Sequence, residues 1–108
     1  MSNDLAALIL DAFPVSEGHC LIVPKRHVAS LFDLTEDELL AMWGLISQAR
    51  EMLDKRYSPS GYNLGVNVGK DAGQTVFHCH IHIIPRHPGD DPDPRGGVRK
   101  IKRPLREY

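Results

Sequence analysis

Apolar residues come in short blocks through the first quarter of the chain and change to a helical spacing in the second. Leu5 to Leu10 forms one block, ended by Asp11-Ala12-Phe13-Pro14, and His19-Cys20-Leu21-Ile22-Val23 forms the next, closed by Pro24. Both have strand length, and Ser16, Glu17 and Gly18 between them are turn residues. The pattern predicts two buried strands joined by a short loop. Val28 to Phe32 predicts a brief helical turn. From Thr35 the period becomes 3.6, with Leu39, Met42, Trp43, Ile46, Ala49, Leu53 and Tyr57 in one stripe. Thr35 and Glu38 have capping-box spacing, Leu34 and Leu39 flank it as a hydrophobic staple, and Ser58-Pro59-Ser60-Gly61 stops the helix. Trp43 and the methionines read as core residues. Gly44 costs a helix about 1 kcal/mol against alanine, which implies close packing at that position.

Beyond the helix the period falls to two. Tyr62, Leu64, Val66 and Val68 alternate with Asn63, Gly65 and Asn67, which predicts a third strand. The glycine-bearing loop from Gly69 to Thr75 has the length and flanks of a hairpin connection. It leads into Phe77-His78-Cys79-His80-Ile81-His82-Ile83-Ile84. An extended chain puts His78, His80 and His82 on one face and sends Phe77, Cys79, Ile81 and Ile83 into a core on the other. After Pro85, turn residues dominate and little regular structure is expected. Strands around one long helix give an α+β layout with a mainly antiparallel sheet. No repeat or composition break divides residues 1–108, so a single domain is expected.

Three imidazoles in a row are a costly surface for a strand built only for packing, because each buried ring needs a partner. They fit a solvent-facing strand poorly, since the alternation is strict. Two readings remain: metal ligation by neutral imidazoles, or a covalent catalytic strand in which one ring attacks phosphorus or an acyl carbon. Spacing alone does not separate these two. The preceding loop bears on the choice. Gly73 permits close backbone approach, while Gln74 and Thr75 add an amide and a hydroxyl to the exposed N–H groups of a turn. Phosphate needs such donors and zinc does not.

Composition narrows the setting. The chain has 108 residues, 42% of them hydrophobic, and a formal net charge of −1. No strong overall attraction to nucleic acid or to a membrane surface follows. Arg95, Arg99, Lys100, Lys102, Arg103 and Arg106 crowd into the last stretch, 95–108, behind Asp90, Asp91 and Asp93, and read as a solvated basic tail. Cys20 and Cys79 form no Cys-x-x-Cys pair and no secretory signal is visible, so a reducing, cytoplasmic setting is expected. No apolar run is long enough to span a bilayer.

The segment His78-Cys79-His80-Ile81-His82-Ile83-Ile84 resembles the His-φ-His-φ-His-φ-φ signature of the histidine triad (HIT) superfamily. The likeness extends to Gly73-Gln74-Thr75, to Asn67, and to the stretch from Asp11 through Pro14, Gly18-His19 and Pro24-Lys25-Arg26-His27. Among such proteins the chain is most similar to the short bacterial and archaeal members and to the fragile-histidine-triad branch, which hydrolyses dinucleoside polyphosphates. The resemblance implies a HIT-like fold whose sheet continues across a homodimer. It also implies a nucleotidyl transferase or hydrolase chemistry in which His80 attacks the α-phosphorus of a nucleoside polyphosphate or phosphoramidate. His82 would then touch the phosphate and the leaving-group side, with His78 and His19 supporting the attacking ring. Gln74 and Thr75 would hold the α-phosphate, Asp11 the ribose hydroxyls, and Asn67 the ribose or phosphate. The product would be a nucleoside monophosphate, AMP by family expectation, and no cofactor or metal is implied. His27 and His87 are left as surface residues. The resemblance also implies a further N-terminal helix and strand, absent here, that would wall the base pocket. Two alternatives stay open: a purine-nucleotide binding or interaction protein with little turnover, and a histidine-ligated metal protein.

Overall fold

A computed structural model describes residues 1–101. Four strands and one long helix carry the fold: β1 (Ala6–Leu10), β2 (Cys20–Pro24), α1 (Glu36–Tyr57), β3 (Gly61–Val66) and β4 (Ile81–Arg86). All pairings are antiparallel and the order across the sheet is β1-β2-β4-β3. The α+β layout with one helix against an antiparallel sheet is as expected.

Strand alternation sorts the two sheet faces. On β2, Cys20, Ile22 and Pro24 are buried while Leu21 and Val23 are partly open. The register sets Cys20 opposite Ile83 and Leu21 opposite His82, so Ile83 joins the buried side and His82 the open side. Helix α1 supplies Met42, Leu45, Ala49 and Leu53 to a core shared with Ala6, Cys20, Ile22 and Ile83. Each fully buried aliphatic chain of this kind stabilises the fold by roughly 1.5–3 kcal/mol. Thr35 caps the helix: its hydroxyl accepts from the Glu38 N–H, and the Glu38 carboxylate accepts from the Thr35 N–H. The same carboxylate takes two hydrogen bonds from Arg26, which fastens the segment after β2 to the start of the helix. Those bonds hold the Glu38 carboxyl well below its ordinary range, at about 2.

Several details depart from the expected pattern. Trp43 is 62% exposed and not a core residue, because the buried stripe runs through Met42, Leu45, Ala49 and Leu53 and turns Trp43 outward. Gly44 marks no close approach, since nothing lies within 4 Å of where a Cβ would stand. Strand β3 ends at Val66, leaving Val68 outside the ladder. The helical turn falls at Leu31–Asp33. After Pro85 the strand runs on to Arg86, and Gly97–Ile101 forms a short 3-10 turn. Of the basic tail, residues 102–108 lie outside the described residues.

Candidate active site

The site forms on the sheet face that α1 does not cover. Strand β4 begins only at Ile81, so His78 and His80 precede it in bent chain and only His82 lies in the ladder. This corrects the expectation of one extended strand bearing all three rings. Phe77 is half exposed and not in the core, whereas Cys79 is buried and its N–H donates to the Val28 carbonyl. The bends leave the rings with different partners. His80 and His82 meet edge to face at 5.1 Å, while His78 sits 5.1 Å from His27. Thus His27, set aside on sequence grounds, belongs to the cluster. It is carried there by its place three residues past Pro24, whose carbonyl accepts from His78.

Hydrogen-bond partners fix which nitrogen of each neutral ring holds the proton, because a carbonyl only accepts and an N–H only donates. His80 Nδ1 lies 2.8 Å from the His78 carbonyl. It must be the N–H, so Nε2 of His80 carries the lone pair. His78 Nε2 donates to the Pro24 carbonyl at 2.7 Å. Its Nδ1 is then the acceptor for His27 Nδ1–H at 3.1 Å. On the other side, the Val15 N–H donates to His19 Nδ1 at 3.1 Å. His19 therefore holds its proton on Nε2, 2.9 Å from His82 Nδ1, and the remaining proton of His82 falls on Nε2. The result is an array with a basic nitrogen on His80 beside a donor N–H on His82.

His19 is buried at the start of β2, just after a tight turn in which its N–H bonds back to the Ser16 carbonyl. Gly18 has φ +84° at the third turn position, which glycine adopts without steric cost. Asp11 stands across from His19. Its Oδ2 is 3.3 Å from His19 Nε2 and 3.8 Å from His82 Nδ1, and its Oδ1 accepts from the Phe13 N–H. Burial lowers the His82 pKa first, helped by the charges of His80 and His19 and opposed by Asp11. A lowered value favours the neutral ring in the folded state. Its contribution to stability is whole above the ordinary value of 6.5 and fades as pH falls toward the folded value. A proton-NMR titration of the ring is expected to give a midpoint below 6.5; a midpoint at or above it would contradict the wiring.

The ligand atoms of Asp11, His19 and His82 lie within 4.8 Å of one another, close enough for a metal ion. The hydrogen bonding does not suit one. His19 Nδ1 already accepts from Val15, so a metal at Nε2 would require a fully deprotonated imidazole.

A cleft of about 520 Å³ opens beside these rings, lined by His78, His80 and Asp11 at its polar end and by Ile9, Leu21 and Val76 elsewhere. The other expected site residues sit differently. Gln74 is buried, and its side chain is spent within the protein: Oε1 accepts from Gly69 N–H, and Nε2 donates to the Ala29 and Val76 carbonyls. It clamps the loop before the histidines. Thr75 is exposed, and the N–H groups of Thr75, Val76 and Phe77 have no partner among the described residues, an arrangement open to an anion. Asn67 is exposed, one residue past the last pair of the β3–β4 ladder. No hydrogen bond joins Asn67, Gln74 or Thr75 to the imidazoles among the described residues.

The HIT domain family model matches residues 1–89. The chain belongs to the histidine triad family. It is 41% identical over 86 residues to a bis(5'-nucleosyl)-tetraphosphatase (asymmetrical) of Schizosaccharomyces pombe, covering 80% of this chain and 47% of that protein. A HIT-like protein of Saccharolobus solfataricus is 35% identical over 107 residues, 99% of this chain and 76% of its own length. The crystal structure of a HIT family protein from Bacillus anthracis superposes with a TM-score of 0.79 at 34% identity, covering 84% of this chain and 64% of that one. Against several curated HIT relatives the chain spans 47–60% of their length.

Proposed function

We propose that this HIT domain is a nucleotide hydrolase or nucleotidyl transferase acting at the α-phosphorus of an adenosine-containing nucleoside polyphosphate or phosphoramidate. The observation that carries the reading is the His80–His78 carbonyl bond, which leaves the His80 Nε2 lone pair free on a ring that lines the cleft. A neutral imidazole nitrogen attacks phosphorus without a separate base. The α-phosphoryl group becomes bonded to His80, the leaving group departs, and water releases the nucleoside monophosphate. His82 Nε2–H serves as donor to the phosphoryl or leaving oxygen, with His19 and Asp11 holding that proton in place. The free N–H groups of residues 75–77 and the Thr75 hydroxyl suit the phosphoryl oxygens, where each aimed donor is worth about 3 kcal/mol in a transition state. Asp11, at the same cleft, suits the ribose hydroxyls, and Asn67 the ribose or phosphate. The test is quenching during turnover in denaturant at alkaline pH, where the P–N bond survives, followed by mass analysis. An adduct of one nucleoside monophosphate on His80 is expected, labile to acid; an unmodified chain during turnover excludes the mechanism.

No helix among the described residues is long and apolar enough to cross a membrane. The reading includes a homodimer. Helix α1 packs mainly on β1 and β2, and β3 is an edge strand, tied to the helix by the bond its Tyr62 hydroxyl donates to Asp54, with Leu64 40% exposed. Trp43, Leu39 and Leu40 also face outward on the helix. Pairing two β3 edges about a two-fold axis would continue the sheet and place these apolar residues within reach of the partner. Sedimentation at micromolar concentration is expected to give a dimer, and a monomer would contradict the proposal.

A further inference from the structure

His27 stands outside the triad, just past the end of β2, and its ring centre lies 5.1 Å from that of His78. Its Nδ1–H donates to His78 Nδ1 at 3.1 Å, and its Nε2 has no partner among the described residues. The residue is exposed, so filling the core is not its task.

His78 and the peptide that follows it are tied to the segment 24–28 from several sides. The His78 Nε2–H donates to the Pro24 carbonyl at 2.7 Å, and its Nδ1 accepts from His27. The Cys79 N–H donates to the Val28 carbonyl, also at 2.7 Å. Both ring nitrogens of His78 are thus engaged inside the protein, and neither is left for a substrate. What His78 offers to the chemistry is its carbonyl, which takes the His80 Nδ1–H at 2.8 Å. That carbonyl and the Cys79 N–H belong to one planar peptide group. The bond to Val28 and the two ring bonds therefore set the direction in which the carbonyl meets His80. The supporting segment is itself held. The Lys25 N–H donates to the Leu5 carbonyl at 2.8 Å, Arg26 grips Glu38, and the Ala29 carbonyl accepts from Gln74.

We infer that His27 is a positioning residue of this site. Its Nδ1–H fixes the His78 ring, and through the His78 carbonyl it keeps the His80 proton on Nδ1 and the lone pair on Nε2. Its effect on turnover rests on the reading of His80 as the attacking group; its effect on the His80 ring does not. The other two ties end on main-chain carbonyls of Pro24 and Val28, which side-chain replacement there leaves in place. His27 supplies the one tie made by a side chain, so it is where substitution can loosen the array.

The test sets two replacements against each other. Phenylalanine keeps a flat ring beside His78 and has no N–H to give. Asparagine loses the ring, yet its side-chain nitrogen stands as many bonds from the backbone as Nδ1 does and can donate in its place. For the wild-type chain, His27→Phe and His27→Asn, kcat and KM are measured for AMP release from diadenosine tetraphosphate. The ring-nitrogen chemical shifts of His80 are read by NMR on the same proteins. In His27→Phe, kcat is expected to fall about tenfold with KM held within about threefold, as for a slightly misplaced reacting group. The His80 ring is expected to show a mixture of both tautomers there, in place of Nδ1–H alone. His27→Asn is expected to keep the single tautomer and a kcat within about threefold of wild type. A phenylalanine variant as active as wild type, with an unchanged His80 ring, overturns the inference. Equal losses of kcat in both variants overturn it as well, since they assign the effect to the ring and not to its N–H. A change confined to KM assigns His27 to substrate binding and has the same consequence. If the wild-type chain forms no adduct on His80, the proposed chemistry falls, and the tautomer comparison decides the inference by itself.

Discussion

His80→Asn is expected to reduce turnover of an adenylylated substrate by at least about a thousandfold, in line with the loss seen when an enzyme nucleophile is removed. Binding should survive. The asparagine side chain can still donate to the His78 carbonyl, now taken by His80 Nδ1–H, and the apolar wall of the cleft is untouched. What disappears is the lone pair on Nε2. The effect should therefore fall on kcat with little change in the dissociation constant of AMP, measured by calorimetry. Turnover within tenfold of wild type would remove His80 from the chemistry. A parallel loss of AMP affinity would mean that the ring mainly shapes the pocket.

The second large effect is structural and lies outside the triad. Gly18→Ala is expected to destabilise the fold by about 2–5 kcal/mol. A left-handed conformation costs an L-residue about 1–2 kcal/mol, and overpacking adds about 1–3 kcal/mol. At φ +84°, an added Cβ would stand 2.7 Å from Leu53 Cδ2 and 2.9 Å from Tyr57 Cε2. Leu53 is fully buried in the core, so it has little room to give. The turn must move instead, and it carries both His19 and the Val15 N–H that orients it. Chemical denaturation should show the lost stability. Activity should fall further than the unfolded fraction explains, because the His82 proton loses its anchor. A variant as stable as wild type would refute this account.

Much of this arrangement was legible in the residues. Alternation in Ile81-His82-Ile83 gave the faces of that strand correctly, because a strand with one buried side leaves few registers free. The Thr35–Glu38 cap placed the helix start. Failures fell where tertiary contacts overrule local pattern. Trp43 fits the apolar stripe by spacing, yet α1 meets the sheet mainly at β1 and β2, so the stripe is wider than the surface it meets. His78 and His80 alternate like strand residues, but the chain bends there so that Cys79 can reach Val28. Gln74 carries a recognisable motif and turns its side chain inward to fasten its own loop. The pairing of His27 with His78 joins residues far apart in sequence, and no local spacing announces it.

The protonation pattern of His19 and His82 hangs on a peptide group. Val15 itself is 72% exposed and supplies nothing through its side chain; the hydrogen it contributes belongs to the main chain. Nearly any amino acid at that site can deliver the same instruction to both rings. Proline alone cannot, having no amide hydrogen to give, so the rule written at position 15 is a prohibition and not a preference.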